Sequence, residues 1–213
     1  MLKLYSYWRS SASYRVRIAL NLKGLPYEIV PVHLVRDGGQ QHAAAYRVLN
    51  PQGRVPLLVD GDFHLNQSLA ILDYLEARHP QPALLPTDAQ RAARVRAFCL
   101  TLAADVQPFH NLATLEQLKA RFAADEAARS AWMRHWIERG LAALESEAID
   151  TTPFVFGDTP TLADCVLVPQ LFAAERFGCD AARYPRLAAV GARCRELPAF
   201  QRAHPDQQPD AEC

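Results

Sequence analysis

Apolar positions along residues 1–79 switch between the spacing of strands and the spacing of helices. Short apolar runs with aromatic or β-branched residues predict strands at 2–7, 27–34, 55–59 and 63–65. Longer runs compatible with an apolar helical face predict helices at about 12–23, 40–49 and 67–79. The element order βαβαββα predicts a small α/β domain whose sheet carries helices on both faces.

The pattern changes beyond Pro80–Pro86, a short proline-rich stretch that is typical of a linker. No strand pattern follows, and helical periodicity predicts helices within 88–122, 125–149, 161–177 and 184–196, the first of them broken near Pro108. The predicted boundaries are 1–80 for the α/β domain, 81–87 for the linker and 88–213 for an all-α domain. The polar residues from Pro198 onward are expected to lie over the surface as a tail.

Thr161 and Asp164 have the spacing of a helix-capping box, in which a Thr side chain and an acid three residues later cap each other. We interpret this pair as a folding signal at the start of a helix, not as a functional site. Pro169 lies inside the same predicted helix, where its missing N–H is expected to produce a kink.

The charge and the apolar content of the chain argue against nucleic acids and membranes as partners. The 213 residues carry 23 Lys and Arg against 23 Asp and Glu, so the formal net charge is zero. A chain without a basic excess lacks the electrostatic footprint for nucleic acid or an anionic membrane surface. No apolar run reaches the ~20 residues of a membrane span, and the N-terminus shows no signal-peptide pattern. These features predict a cytoplasmic protein with no nucleic-acid or membrane partner.

The cysteines and histidines show no metal-binding pattern. The chain has no C-x-x-C and no H-E-x-x-H motif. The five dispersed cysteines are Cys99, Cys165, Cys179, Cys194 and Cys213. An odd number of scattered cysteines is typical of a reduced, intracellular protein. We therefore predict no metal site.

The turn after the first strand is the strongest candidate site. Arg9, Ser10 and Ser11 precede a predicted helix, and serine is a preferred N-cap residue. Free N–H groups and the positive end of the helix dipole suit a bound anion there. Arg15 and Arg17 oppose that dipole, which is tolerable if an anion normally occupies the turn. Alternatively, these arginines pair with carboxylates from elsewhere in the fold.

Two further elements of the first domain suit a peptide-like ligand. Val55-Pro56 opens a predicted strand. A cis bond there would leave the Val55 backbone able to bind an extended peptide, whereas a trans bond would be an ordinary strand start. Gln67-Ser68 begins a predicted helix, where polar side chains and free N–H groups suit a carboxylate or simply cap the helix.

Seven motifs, followed by an all-helical domain, occur together in one known family. They are Tyr7–Leu20, Asn50-Pro51, Val55-Pro56, Gln67–Ile71, Gln107-Pro108 with Asn111, Thr161–Asp164 and Ala174–Phe177. In these motifs the chain resembles the cytosolic glutathione transferases, and most of all their zeta class, over essentially its whole length. The resemblance implies a thioredoxin-like glutathione-binding domain joined to an all-α domain, and a homodimer.

The resemblance also implies roles for individual residues. Ser10 and Ser11 would hold and activate the glutathione sulfur, and Arg9 would complete the catalytic set. The other expected glutathione contacts are Ala12, Gln41, Val55, Gln67, Ser68, Gln107 and Asn111. Among them, Gln67 and Ser68 would hold the γ-glutamyl carboxylate and Val55 would pair with the cysteinyl backbone. Arg9 and Arg176 would face substrate carboxylates, although periodicity alone makes Arg176 a surface residue of a helix.

One position departs from the zeta pattern. Where the class usually has Ser-Ser-Cys, this chain has Ala12 as the third residue. Disulfide exchange by a protein thiol needs a cysteine on this turn and is therefore excluded there. Isomerisation uses the sulfur of glutathione and survives the change.

The function that the resemblance implies is glutathione-dependent cis–trans isomerisation of a conjugated dicarboxylate, maleylacetoacetate or maleylpyruvate, in the catabolism of aromatic amino acids or other aromatic compounds. Reversible addition of the thiolate converts the double bond into a single bond that rotates. One alternative is a zeta-class transferase that acts on α-haloacids or other electrophiles. Another is a non-catalytic assembly module, which the presence of Ser10, Ser11, Gln67 and Ser68 argues against.

Overall fold

Four short strands form one sheet in the structure, a computed structural model that describes residues 1–147 and 153–212. The strands are β1 (Leu2–Ser6), β2 (Tyr27–Pro31), β3 (Leu57–Asp60) and β4 (Phe63–Asn66). Their order is β2-β1-β3-β4, with β1 and β2 parallel and the other neighbours antiparallel. Leu4 lies opposite Ile29 of β2 and Leu58 of β3, so the middle of β1 is paired on both sides.

Helices and short 3-10 turns make up the other regular elements. The helices are α1 (Ser11–Leu22), α2 (Ala44–Leu49), α3 (Ser68–Arg78), α4 (Ala89–Ala104), α5 (Leu112–Phe122), α6 (Glu126–Glu147), α7 (Leu162–Arg176), α8 (Pro185–Glu196) and α9 (Pro198–Ala203). The 3-10 turns lie at Arg36–Gly38, Gln40–His42, Gln107–His110, Ala181–Arg183 and Pro205–Gln207. The predicted order βαβαββα and the break near Pro108 are confirmed. The predicted end of the helix at 149 and Cys213 lie outside the described residues.

All four strands differ from the predicted bounds, β1 and β4 by one residue at one end and β2 and β3 by more. Strand β2 stops at Pro31, and the N–H of His33 donates to the side chain of Gln40 at 2.8 Å instead of joining the sheet. Strand β3 begins at Leu57, because Pro56 has no N–H for the ladder. The Val55-Pro56 bond is cis.

The chain divides into two compact units. The first combines Met1–Leu84 with Arg195–Cys213 and contains the sheet, and the second, Leu85–Cys194, is helical. The predicted domain boundaries at residues 80 and 88 stay a prediction. The packing differs from them in one respect, since it groups the C-terminal segment with the sheet.

Helix α1 lies at the centre of the first unit. Its residues Ser13–Leu20 are all buried, including the two arginines Arg15 and Arg17. A helix that is buried on every side needs neighbours on every side. Helices α3 and α9 both pack against α1.

The prediction that residues from Pro198 onward lie over the surface as a tail is wrong. Residues 198–203 form α9, whose Ala199, Phe200 and Ala203 are buried. The amide of Asn21 in α1 donates to the Ala199 carbonyl at 2.9 Å. These three apolar residues are spaced to face α1 together, and the polar and proline residues around them concealed that short pattern.

Helix α7 is the buried element of the second unit. Its residues Leu162–Leu171 are all buried, the helix continues through Pro169, and α4 packs against it. The predicted capping box at its start is confirmed. The Asp164 carboxylate accepts from the N–H of Thr161 at 2.7 Å, while the Thr161 hydroxyl accepts from the N–H of Ala163 at 3.3 Å.

Asp164 also extends the cap to the preceding segment. Its second carboxylate oxygen accepts from the N–H of Val155 at 3.0 Å. Burial raises the pKa of Asp164, and the hydrogen bonds from Thr161 and Val155 act in the opposite direction by stabilising the carboxylate. The capping box therefore fixes both the start of α7 and the segment that leads into it.

Two kinds of feature are absent from residues 1–147 and 153–212. None of the helices there combines the length and the apolar character that crossing a membrane requires. Nor do these residues contain a group of three or more His, Cys, Asp or Glu side chains that could hold a metal ion.

Replacing Asp164 with alanine is expected to destabilise the protein by about 2–4 kcal/mol, because the change removes the cap of α7 and leaves buried donors without an acceptor. Thermal unfolding followed by circular dichroism should show a midpoint lower by several °C. Asp158→Ala, at an exposed carboxylate of the same unit, is the control and should change stability by less than about 0.5 kcal/mol. Equal midpoints for the two variants would contradict the assigned role.

Candidate functional site

The corner between β1 and α1 forms as the serines predict. Ser10 is the N-cap of α1, and its hydroxyl oxygen accepts from the N–H of Ser13 at 3.2 Å. Its own N–H donates to the Tyr7 carbonyl at 3.0 Å, which closes the turn. Ser11 is the first residue of the helix, and no acidic residue lies in the first turn. The first turn of α1 therefore carries no acid that would neutralise the positive end of the helix dipole, and this end suits an anion.

Arg17 holds this corner from the inside. Its guanidinium donates to the Ser6 hydroxyl at 3.0 Å and to the Trp8 carbonyl at 3.1 Å. It also donates to the Ala203 carbonyl of α9 at 3.0 Å. Burial lowers the pKa of Arg17 to about 10, against the attraction of Tyr27, Tyr14 and Asp210. Among the described residues, the hydrogen bonds of Arg17 go to carbonyl and hydroxyl oxygens, so the alternative that Arg17 pairs with a carboxylate is wrong.

Arg9 is the accessible cation of the corner. Its side chain is exposed, and the guanidinium carbon lies 4.1 Å from the centre of the Trp8 ring. A guanidinium over an aromatic face is held in place without losing its hydrogen-bond donors. Arg9 therefore remains able to bind a carboxylate at the surface.

The loop before β3 presents the backbone of Val55. The carbonyl of Arg54 accepts from the Tyr46 hydroxyl at 2.6 Å and from the Asn50 amide at 2.7 Å. Among the described residues, no backbone–backbone hydrogen bond involves Val55. A backbone held on one side and unpaired itself can bind an extended peptide as a sheet edge does.

Gln67 and Ser68 start α3 in an unusual way. Gln67 has φ 67° and ψ 109°, and its side chain does not cap the helix. Residues outside the regular regions cost of order 1–3 kcal/mol and cluster at functional sites. The Gln67 amide instead donates to the Gln52 side chain at 2.9 Å. The Ser68 hydroxyl is buried and accepts from Arg15 of α1 at 3.3 Å, which ties the beginning of α3 to α1.

Gln41 contributes a buried acceptor. Its amide nitrogen donates to the Leu34 carbonyl at 3.1 Å, whereas its side-chain oxygen has no hydrogen-bond partner among the described residues. A buried acceptor left unsatisfied costs about 1–3 kcal/mol. Gly39 beside it has φ 98°, a conformation that favours glycine, and a Cβ atom there would displace the Gln41 amide. A ligand N–H would satisfy the Gln41 oxygen.

Asn50, which the sequence indicated only through the motif Asn50-Pro51, connects two of the predicted elements. Besides the bond to Arg54, its side-chain oxygen accepts from the N–H of Gln52 at 3.2 Å and from the amide of Asn66 at 3.1 Å. Asn66 directly precedes Gln67. Asn50 therefore joins the loop before Val55 to the start of α3, and its burial makes the link rigid.

The remaining predicted residues lie in the second unit. Gln107 begins a 3-10 turn, and Asn111 is the N-cap of α5, whose side-chain oxygen accepts from the N–H of Thr114 at 3.0 Å. Arg176 lies in the last turn of α7 and is exposed, and its guanidinium carbon lies 5.0 Å from the centre of the Phe177 ring. The structure thus gives Asn111 a capping role and places Arg176 at a helix surface.

Within the first unit, hydrogen bonds connect the three predicted elements. Arg15 joins α1 to Ser68, and the loop before Val55 is joined to Gln67 through Gln52. Ala12 lies in the first turn of α1, beside Ser11. The assignment of these residues to a glutathione site stays a prediction.

Comparison with known families and proteins covers nearly the whole chain. The family model for the Glutathione S-transferase, N-terminal domain, matches residues 4–83, and the model for the C-terminal domain matches residues 116–193. A maleylacetoacetate isomerase of Pseudomonas aeruginosa is 50% identical over 210 residues, which are 98% of this chain and 98% of that protein.

Two solved structures agree with this result. One is a holo structure of maleyl pyruvate isomerase, described as a bacterial glutathione-S-transferase in Zeta class, with a TM-score of 0.95, 49% identity and coverage of 99% of this chain and 100% of that chain. The other is a maleylacetoacetate isomerase from Anaeromyxobacter dehalogenans with bound dicarboxyethyl glutathione and citrate, with a TM-score of 0.88, 46% identity and coverage of 100% and 94%.

The comparisons confirm the fold class, a thioredoxin-like domain with an all-α domain, that the sequence predicts. The similar isomerases cover 98–100% of this chain at sequence identities of 46–50%, which is far above the identity at which only a fold is shared. The chain therefore belongs to the glutathione S-transferase family, and within it to the zeta class.

Proposed function

We propose that this protein is a glutathione-dependent isomerase that converts the cis double bond of maleylacetoacetate or maleylpyruvate into the trans double bond. The observation that carries the proposal is the start of α1, where two serine hydroxyls lie at a helix end with no acidic residue in the first turn. The similar isomerases named above support the substrate class, and one of them binds glutathione joined to a dicarboxyethyl group.

The first unit fits glutathione, a tripeptide with carboxylates and amides. The unsatisfied oxygen of Gln41 suits one of its N–H donors. Val55 offers a backbone N–H and carbonyl that no backbone group among the described residues pairs with. Gln67 and Ser68, at the beginning of α3, suit the γ-glutamyl carboxylate. When bound, glutathione supplies a thiolate that adds reversibly to the substrate double bond.

Ser10 and Ser11 favour that thiolate through their hydroxyl donors. The Ser10 oxygen accepts from Ser13, which leaves its own hydrogen available to an anion. A thiol of ordinary pKa is mostly protonated at neutral pH, and lowering its pKa by about two units takes ~2.7 kcal/mol. Hydroxyl hydrogen bonds to an anion together with the α1 dipole supply an amount of that size. Either serine is placed to contact the sulfur.

The arginines are proposed to bind the substrate. Arg9, exposed beside the Trp8 ring, would hold a substrate carboxylate and offset the negative charge that develops as the double bond is attacked. The family resemblance alone assigns Arg176 to a second carboxylate, and Ala12, Gln107 and Asn111 to glutathione contacts.

We extend the proposal to the setting of the reaction. The described cysteines are all buried thiols, which suits a reducing compartment, so we place the protein in the cytoplasm. We also propose that it forms a homodimer and acts in aromatic catabolism. Both statements rest on the resemblance to the zeta class.

Replacing both Ser10 and Ser11 with alanine is expected to lower the glutathione-dependent isomerase rate at least 100-fold, because each lost hydrogen bond to an anion is worth about 1.5–3 kcal/mol. A spectrophotometric assay of diacid isomerisation measures the rate. Ser146→Ala, at an exposed serine of α6, is the control and should retain full activity. A double variant with the activity of the unmodified protein would show that the serines do not activate the sulfur.

Removing glutathione is expected to abolish isomerisation of both maleylacetoacetate and maleylpyruvate, since the described cysteines are buried and Ala12 replaces the thiol on the turn. The assay compares the dialysed protein with and without added glutathione, and an α-haloacid serves as a third substrate. Undiminished isomerisation without glutathione would refute the proposal. Faster turnover of the α-haloacid than of either diacid would favour the transferase instead.

A further inference from the structure

The last residues of the described chain return to the β1–α1 corner. Asp210 accepts from the backbone N–H of Trp8 at 3.0 Å, across 202 positions of sequence. Trp8 directly precedes Arg9 and lies two residues before Ser10, the N-cap of α1. The C-terminal latch, defined here as Gln208–Glu212, thus contacts the turn that carries the proposed catalytic residues.

The two backbone polar groups of Trp8, its N–H and its carbonyl, are hydrogen-bonded to side chains of opposite charge. Asp210 accepts from its N–H, and the buried guanidinium of Arg17 donates to its carbonyl at 3.1 Å. Charge-assisted hydrogen bonds are roughly twice as strong as neutral ones. The orientation of the turn is therefore set from two sides, by α1 and by the latch.

The latch is itself fixed at its beginning. The amide of buried Gln208 donates to the carbonyls of Arg202 at 3.0 Å and His204 at 2.7 Å. The N–H of Ala211 then donates to the Gln208 carbonyl at 3.0 Å, which closes a turn around Asp210. Since Arg17 also donates to Ala203, one hydrogen-bonded path connects α1, α9 and the latch.

The end of the latch makes a second, weaker contact. Glu212 accepts from the Arg36 guanidinium at 2.6 Å and from His33 at 3.1 Å. The other ring nitrogen of His33 accepts from the N–H of Arg36 at 2.7 Å, so the nitrogen that faces Glu212 carries the proton. The pair between Arg36 and Glu212 is about half exposed, and such pairs contribute little.

Between the two acids, Ala211 packs against an apolar cluster that includes Tyr7, Trp8 and Val55. The latch therefore touches the corner of Ser10 and also the cluster that supports the backbone of Val55. Two of the three proposed glutathione-binding elements share this support. Asp210 is the residue of the latch whose side chain accepts a hydrogen bond from the corner, and its neighbour Ala211 packs against the cluster.

We propose that Asp210 is a positioning residue of the glutathione site, which holds the turn Trp8–Ser10 in the geometry that the thiolate requires. This inference rests on the proposed function. Asp210 does not contact the reacting atoms; it acts through the Trp8 backbone. The turn would relax without that acceptor, and the hydroxyl and the helix end would no longer converge on one sulfur atom.

The test compares three full-length variants with the unmodified protein. Asp210→Ala removes the acceptor and is expected to raise the KM for glutathione about tenfold, with little change in the KM for the diacid. Asp210→Asn keeps an oxygen that can accept from Trp8 and is expected to stay within about threefold of the unmodified protein. Asp206→Ala, at an exposed acid of the preceding 3-10 turn, is the control and should leave both KM values unchanged.

A spectroscopic measurement separates positioning from a merely structural role. The ultraviolet absorbance of the bound thiolate is titrated against pH in each variant, and the midpoint should move to higher pH in Asp210→Ala but not in Asp210→Asn. An equal loss in both variants, or a loss in neither, would overturn the inference. If Asp210→Ala does not fold, Asp210→Glu, which displaces the carboxylate by one methylene, takes its place under the same criteria.

The unmodified protein decides between the two proposals. If it shows no glutathione-dependent isomerisation and no bound thiolate, the proposed function fails, and the inference about Asp210 fails with it. If it shows both and Asp210→Ala matches it in KM and titration midpoint, only the positioning role fails.

Discussion

The structure of the first unit depends on the hydrogen bonds of the buried Arg17. Arg17 is fully enclosed, and a guanidinium can be buried only if its donors meet acceptors, because an unpaired charge in the interior is very costly. Its acceptors are backbone and hydroxyl oxygens of the β1–α1 corner on one side and the Ala203 carbonyl on the other. The β1–α1 corner and α9 therefore cannot move independently, since displacing either would leave donors of the buried guanidinium without acceptors.

This arrangement separates two uses of positive charge that the sequence places side by side. The guanidinium of Arg17 is hydrogen-bonded to groups of the protein, and its lowered pKa reflects the cost of desolvation. Arg9 remains exposed, and the end of α1 has no carboxylate in its first turn. An anion at the corner would thus meet the helix end, the hydroxyls and Arg9, while the buried arginine keeps that geometry constant. Preorganised dipoles of this kind lower a thiol pKa without reorganising during the reaction.

Local signals carried most of what the sequence could predict. The Ser10 cap, the Thr161–Asp164 box and the break near Pro108 depend on residues within a few positions, so the pattern was sufficient. The partners of Arg17 were missed because backbone carbonyls have no sequence signature. The helix α9 was missed because six residues give too short an apolar pattern, and the conformation of Gln67 because nothing local demands a positive φ. Of the candidate site, the residue types were therefore predictable, whereas the long-range contacts that orient them were not.

The position of Ala12 limits how such a corner can work. A thiolate needs partial exposure and a nearby positive charge, whereas the described cysteines are buried; desolvation raises the pKa of Cys179, for example. The chain therefore has no described thiol suited to nucleophilic attack, and the corner can act only on a sulfur brought by a ligand. In the proposed site such a sulfur would be held through its own peptide, so the geometry of Val55, Gln67 and Gln41 would matter as much as the hydroxyls. The hydrogen bonds from Trp8 to Asp210, from Arg17 to the Ala203 carbonyl and from Asn66 to Asn50 join segments of the first unit that are far apart in sequence, and so they fix these segments relative to one another.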